Sequence, residues 1–305
     1  MQLFRTILVV CEQNSAAERL VARIRRLARA EGSSVTLLAI ATRDAPGEAR
    51  APMHSAAPGA DAGLGRTDLA RLEALAGSLR EAGIEVSVAL ASGSDATAPI
   101  RHVRSFGGNL VVTASGPSNL SLLRDCPCPV WIVADEGREQ GAGLLAVVDP
   151  DPEDPERDGL NRRVLRIAST LAETSAMPLD VLSVWQLPQE AALRHSLVRN
   201  RPEEVDRVVA AEERQSAWRL DLLMRDFAGF SDRMAVHHRK GVASEIIPQI
   251  AGLRGVDTIV IGAIARSDKK GPFVGNTAET ITGCLGCSVL TVKPEGFVSP
   301  VELDT

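Results

Sequence analysis

The chain has no tyrosine, and aromatic residues make up only 3% of it. A stacking platform for single-stranded nucleic acid is therefore not expected, because such platforms need aromatic rings for successive bases. Basic residues are outnumbered by acidic ones, giving a formal net charge of −5 and a pI near 5.7. That balance argues against a general reader of phosphate backbones, which requires a basic surface. No run of about 18 uncharged apolar residues occurs, so no membrane span is expected. The opening Met1–Val10 reads as a strand and lacks the basic end, apolar core and small-residue cleavage site of a signal peptide. Five cysteines are odd in number and too few for a disulfide framework, which fits a reducing compartment. Cytoplasm is the expected location.

What the chain does contain is Ala, Val, Leu and Ile in quantity, and an internal repeat. The apolar strand at Phe4–Val10 recurs at Gly143–Val148. Helical periodicity follows each, over Ser15–Ala30 and Asn161–Thr174, then second strands at Ser34–Ile40 and Leu179–Trp185. Long helices are predicted at Thr67–Ala82 and Glu203–Phe227, with third strands at Glu85–Ala91 and Arg233–His238. Shorter helices at Ala96–Phe106 and Ala243–Leu253 lead to strands Asn109–Ala114 and Asp257–Ile261. Pro129–Val133 and Ser288–Val292 close the two halves. Uniformly apolar strands alternating with helices predict an α/β chain: two tandem doubly wound parallel five-stranded sheets flanked by helices. The expected domains are 1–135 and 143–298, joined by the polar, glycine-bearing Glu136–Ala142. Arg43–Leu64 reads as a mobile loop, and Gln186–Pro202 holds the equivalent place in the second half.

The segment Ile259–Glu279 carries the chemistry. An apolar strand stops at Gly262, a cationic loop follows with Arg266, Lys269, Lys270 and Gly271, and Gly275-Asn276-Thr277 opens a helix. A helix N-terminus offers unpaired N–H groups and partial positive charge, and glycine lets phosphate approach the backbone. Gly262 is expected to let the chain turn sharply off its strand, and Asn276 or Thr277 to cap the helix. The same residues also suit an ordinary strand-to-helix connection with a solvated basic loop.

Other constellations are weaker. Cys284-Leu-Gly-Cys287 has zinc or redox spacing and Cys126-Pro-Cys128 stands in the matching place. Cys128 and Cys287 lead into the last strands, however, where a small apolar residue suits packing. His237 and His238 are neighbours at a strand end, so they point to opposite faces and a surface role is expected. No nucleophile elbow, Walker A loop or paired Ser/His/Asp spacing is visible, which favours a binding protein over an enzyme.

On these residues the chain resembles the tandem universal stress proteins, most closely the E type. The family pattern of Gly, Gly and Gly-small-polar runs here as Gly262, Ala265 and Gly275-Asn276 with its spacing kept and Ala265 in place of the second glycine. Gly275–Glu279, Leu290-Thr-Val-Lys-Pro294, Ser299–Asp304 and Leu122–Val133 add to the likeness. The resemblance implies an adenine-nucleotide alpha hydrolase-like fold and a cytoplasmic stress-response role, with ATP and Mg²⁺ held in some members. It implies a second-domain nucleotide set of Asp149, Val184, Gly262, Ala265, Arg266, Gly275, Asn276 and Thr277, with nucleotide ordering the loop Arg266–Val274. In the first domain Cys11 takes the place of Asp149 and the basic loop is missing, so that half is expected to be degenerate. The resemblance also implies pairing of the two domains through their last strands, or a homodimer. Two alternatives stand beside nucleotide binding: a slow Mg²⁺-dependent ATPase using Asp149 or Asp268, and a carrier of an apolar ligand such as a lipid beside Glu203–Phe227.

Overall fold

A computed structural model describes residues 2–11, 16–41, 66–92, 97–116, 119–134, 143–195, 201–263 and 286–302. The chain divides into two compact units, Met1–Asp135 with Val298–Thr305, and Glu136–Phe297.

In the first unit the order is β1 (Thr6–Cys11), α1 (Ala16–Glu31), β2 (Ser34–Ala41), α2 (Arg66–Glu81) and β3 (Val86–Ser92). It continues with α3 (Ala98–Phe106), β4 (Leu110–Ala114), α4 (Asn119–Asp125) and β5 (Val130–Val133). The strands lie parallel in the order β3-β2-β1-β4-β5. Every residue from Ile7 to Cys11 and from Leu110 to Thr113 is buried, as strands covered on both faces require. Helix α1 buries Leu20, Ile24, Leu27 and Ala28, an apolar stripe at helical spacing.

The second unit runs β6 (Leu144–Val148), α5 (Pro155–Ser175), β7 (Leu179–Trp185), α6 (Glu190–His195) and α7 (Pro202–Arg225). A 3₁₀ helix (Ala228–Arg233), β8 (Met234–Lys240), α8 (Ala243–Arg254), β9 (Thr258–Gly262) and β10 (Ser288–Val292) complete it. Its parallel order is β10-β9-β6-β7-β8. In both units the first strand therefore sits at the centre, and the chain winds first to one side and then to the other.

Two elements depart from the sequence reading. Helix α5 starts at Pro155 rather than Asn161, because Asp154 caps it by accepting from the N–H groups of Glu156 and Arg157, both at 3.1 Å. Proline is welcome at the first helical position, where no N–H is needed. The stretch Gln186–Pro202, read as a loop, contains α6, which buries none of its side chains. Arg43–Leu64 and the linker Glu136–Ala142 lie outside the described residues.

Candidate functional site

In the second unit the winding direction reverses between β6 and β9, which are adjacent in the sheet. Open α/β sheets bind ligands outside the carboxyl ends of their strands at such a point. Three nominated residues lie there on neighbouring strands: Asp149 follows β6, Val184 is next to last in β7, and Gly262 ends β9. Ala265, Arg266, Gly275, Asn276 and Thr277 lie outside the described residues, as do Asp268, Lys269 and Lys270.

Asp149 is held through its backbone. Its N–H donates to Asn161 Oδ1 at 2.9 Å, and Asn161 Nδ2 donates to its carbonyl at 2.8 Å. Asn161 Nδ2 also donates to the Arg157 carbonyl at 2.9 Å. Asn161 is buried, so its amide pins the turn after β6 from inside the unit. The Asp149 carboxylate is left 67% exposed, with Arg157 Nη1 at 3.6 Å. Arg157 also lies 3.4 Å from Asp151 and 3.8 Å from Asp154. One guanidinium thus serves three partly solvated carboxylates, an arrangement that gives each little stabilisation.

Gly262 answers to a different requirement from the sharp turn expected of it. It is paired in register with Val292, and it is not one of the described glycines with positive φ. A Cβ at this position would stand 2.6 Å from Leu160 Cδ2 and 3.0 Å from Leu160 Cγ. Glycine is needed because α5 packs close against the end of β9. Val184 is half-buried and in register with Arg239 of β8.

Beside Val184 stands a cluster that periodicity alone did not reveal. Trp185 stacks on His238 with centroids 5.9 Å apart and planes at 15°, and His238 Nε2 lies 3.0 Å from Ser216 Oγ of α7. Burial lowers the His238 pKa from its usual value. Lys240 sits over the Trp185 ring and pairs with Glu190 at 2.6 Å. Hydrogen bonds from Lys240 and then Arg194 hold the Glu190 carboxyl below its ordinary range. His237 looks elsewhere: its Nε2 is 2.8 Å from Asp180 Oδ1, and Arg254 of α8 donates to both Asp180 oxygens at 3.0 and 3.2 Å. The two histidines therefore serve different faces of β8. Both have partners and are part-buried, His237 with only 16% of its side chain exposed, which corrects the surface role expected of them.

In the first unit the corresponding reversal lies between β1 and β4. Cys11 ends β1, and burial pushes its thiol up to about 12, so a neutral apolar group stands at that strand end. The Ser115 N–H is engaged by the Val133 carbonyl at 3.1 Å. Cys126 and Cys128 are buried with sulfurs 3.6 Å apart, and Cys287 is buried at the entry to β10, while Cys284 lies outside the described residues. A cavity of about 720 Å³ is found in the second unit, at the amino ends of β7 and β8. No residue of α7 lines it, so it is not the apolar site expected beside that helix. No described helix is long and apolar enough to cross a membrane.

The Universal stress protein family model matches residues 3–134 and again residues 145–293. Universal stress protein E of Escherichia coli K12 is 29% identical over 199 residues, covering 62% of this chain and 58% of that protein. A universal stress protein E homolog of Haemophilus influenzae is 25% identical over 179 residues, 58% of this chain and 56% of that protein. The matched spans thus take in less than two thirds of these relatives. A putative universal stress protein of Pseudomonas aeruginosa UCBPP-PA14 superposes with a TM-score of 0.72 at 25% identity, covering 96% of this chain and 95% of its own. A universal stress protein of Archaeoglobus fulgidus shares the fold, with a TM-score of 0.61 at 14% identity over 95% of this chain and 96% of its own.

Proposed function

Because the chain belongs to the universal stress protein family, as a tandem of two such domains, we propose that it is a cytoplasmic stress-response binding protein whose second unit holds ATP with Mg²⁺. The observation that carries this reading is the fixed turn at Asp149. A buried asparagine immobilises its main chain at the reversal point while its carboxylate stays open to solvent. An ionised carboxylate accepts hydrogen bonds, so Asp149 suits the exocyclic amine of adenine or a ribose hydroxyl. The sequence supplies Arg266, Gly275, Asn276 and Thr277 for the phosphates, and Val184 offers an apolar contact for the base. The role is binding rather than turnover, since hydrolysis also needs a group that positions the attacking water, and Asp149 is assigned to the nucleoside. The first unit, with Cys11 at its strand end, serves as scaffold.

The test is thermal unfolding of the full chain with millimolar ATP and Mg²⁺, compared with D149A and G275V. A rise in melting temperature is expected for the wild type and a smaller one, or none, for the variants. No shift in the wild type at millimolar nucleotide would remove the reading. Phosphate release by the wild type above the G275V background would replace binding by slow hydrolysis.

A further inference from the structure

The 720 Å³ cavity lies at the amino ends of the strands, where β7 and β8 begin, whereas Asp149 follows the carboxyl end of β6. Its volume falls in the range of small-molecule sites. Met177, Leu179, Phe230 and Met234 give it an apolar wall. Ser169 of α5 also lines it and is 3% exposed, yet its hydroxyl has no hydrogen-bond partner among the described residues. A serine inside a helix normally relieves its hydroxyl on the carbonyl one turn back, and a buried hydroxyl left unpaired costs free energy. The hydroxyl is thus available to a group that enters the cavity.

The rim carries charge. Glu173 and Arg233 are exposed lining residues, and neither side chain has an ion pair among the described residues. Asp180 and Arg254 also line the cavity but neutralise each other through the two hydrogen bonds described above. The available charges are therefore one anion and one cation. Ser169 and Glu173 stand one turn apart on the same face of α5, roughly 5–6 Å between Cβ atoms. The cavity thus pairs a zwitterionic rim with an apolar wall and a hydrogen-bonding floor about one helical turn below.

We propose that this cavity binds a free aromatic amino acid whose ring carries a polar atom. Its carboxylate meets Arg233, its ammonium meets Glu173, the ring packs on Met177, Phe230 and Met234, and the ring's N–H or O–H reaches Ser169. Phenylalanine lacks the last contact, and analogues missing either charge leave one rim residue unanswered.

Isothermal titration of the full chain with L-tryptophan tests this, alongside L-phenylalanine, tryptamine and indole-3-propionate. Saturable L-tryptophan binding is expected, weakened about tenfold when either ligand charge is absent, as loss of one charge-assisted hydrogen bond implies. R233Q should weaken L-tryptophan about tenfold while leaving tryptamine unaffected, and E173Q should weaken L-tryptophan about tenfold while leaving indole-3-propionate unaffected. S169A should weaken L-tryptophan and not L-phenylalanine, and D149A should change none of these affinities. Because Glu173 and Arg233 are exposed, their variants test the site without disturbing the core. Absence of saturable heat at millimolar L-tryptophan overturns the proposal. So does binding that is unchanged in both R233Q and E173Q.

Discussion

Leu160 of α5 occupies the space that a side chain on Gly262 of β9 would need, its Cδ2 standing 2.6 Å from the position of a Cβ. The contact packs the helix that follows β6 closely against the end of the neighbouring strand. Replacing Gly262 by alanine forces this packed leucine aside and is expected to cost about 1–3 kcal/mol, the usual range for overpacking a core. Urea unfolding measures the loss. Leu160→Ala in the G262A background should destabilise by less than the sum of the two single changes, with a coupling of about 0.5–3 kcal/mol. Strict additivity would mean that the two residues do not compete for the same space.

The Asn161 amide makes a second testable restraint. N161A leaves the N–H and carbonyl of Asp149 without their buried partner and should lower stability by about 1–3 kcal/mol in urea unfolding. It should also reduce the thermal shift expected with ATP under the proposed function, because the turn bearing Asp149 is no longer held. Unchanged unfolding would show that water replaces the side chain without penalty.

Asp154 caps α5 through the N–H groups of Glu156 and Arg157. D154A is expected to cost about 0.5–2 kcal/mol, and D154S to retain most of the capping. Thermal unfolding followed by circular dichroism separates the two variants. Equal losses would assign the effect to the ion pair with Arg157 instead of the cap.

Burial lowers the pKa of His238, an effect opposed by Glu213 and reinforced by Arg239, and burial does the same to His102 in the first unit. As pH falls through the ordinary histidine value of 6.5, the unfolded chain takes up protons that the folded chain still refuses. Stability should therefore be full above that value and decline as pH drops toward the lowered folded pKa. Melting temperatures recorded from neutral to mildly acid pH are expected to fall. H238Q should give a shallower profile, and an equally steep one would place the proton uptake elsewhere.

The alternation of apolar strands and amphipathic helices was enough to read both sets of strands from the sequence, because the inner strands, buried on both faces, must be uniformly apolar. The edge strand β8, by contrast, has no buried residue. Start and end points followed less well. The periodicity placed the start of α5 at Asn161, since only the hydrogen bonds of Asp154 show that the helix begins at Pro155. Helix α6 has no buried face and hence no periodic signal, and it is anchored by Glu190 pairing with Lys240 from a distant strand. Asp149 was singled out by the family resemblance, whereas its restraint by Asn161 was not legible at all. Asn161 sits among apolar residues of a helix, and nothing in a sequence says which way a buried amide points. The demand for glycine at position 262 was also visible, but it was ascribed to a sharp turn, whereas its cause is a leucine brought up by tertiary packing.

The strand order of the second unit has a consequence for how the site comes into being. Asp149 and Gly262 stand at neighbouring strand ends, yet most of the unit's chain separates them, so their meeting is a contact of high sequence separation. Such pairings form late, after long loops have been closed. During synthesis, β6, α5, β7 and β8 are all complete before β9 emerges to create the crevice. A chain truncated before Thr258 would hold the restrained aspartate and still lack one wall of its pocket. Ligand capture at this end of the sheet would thus report that the unit has been finished, not merely begun.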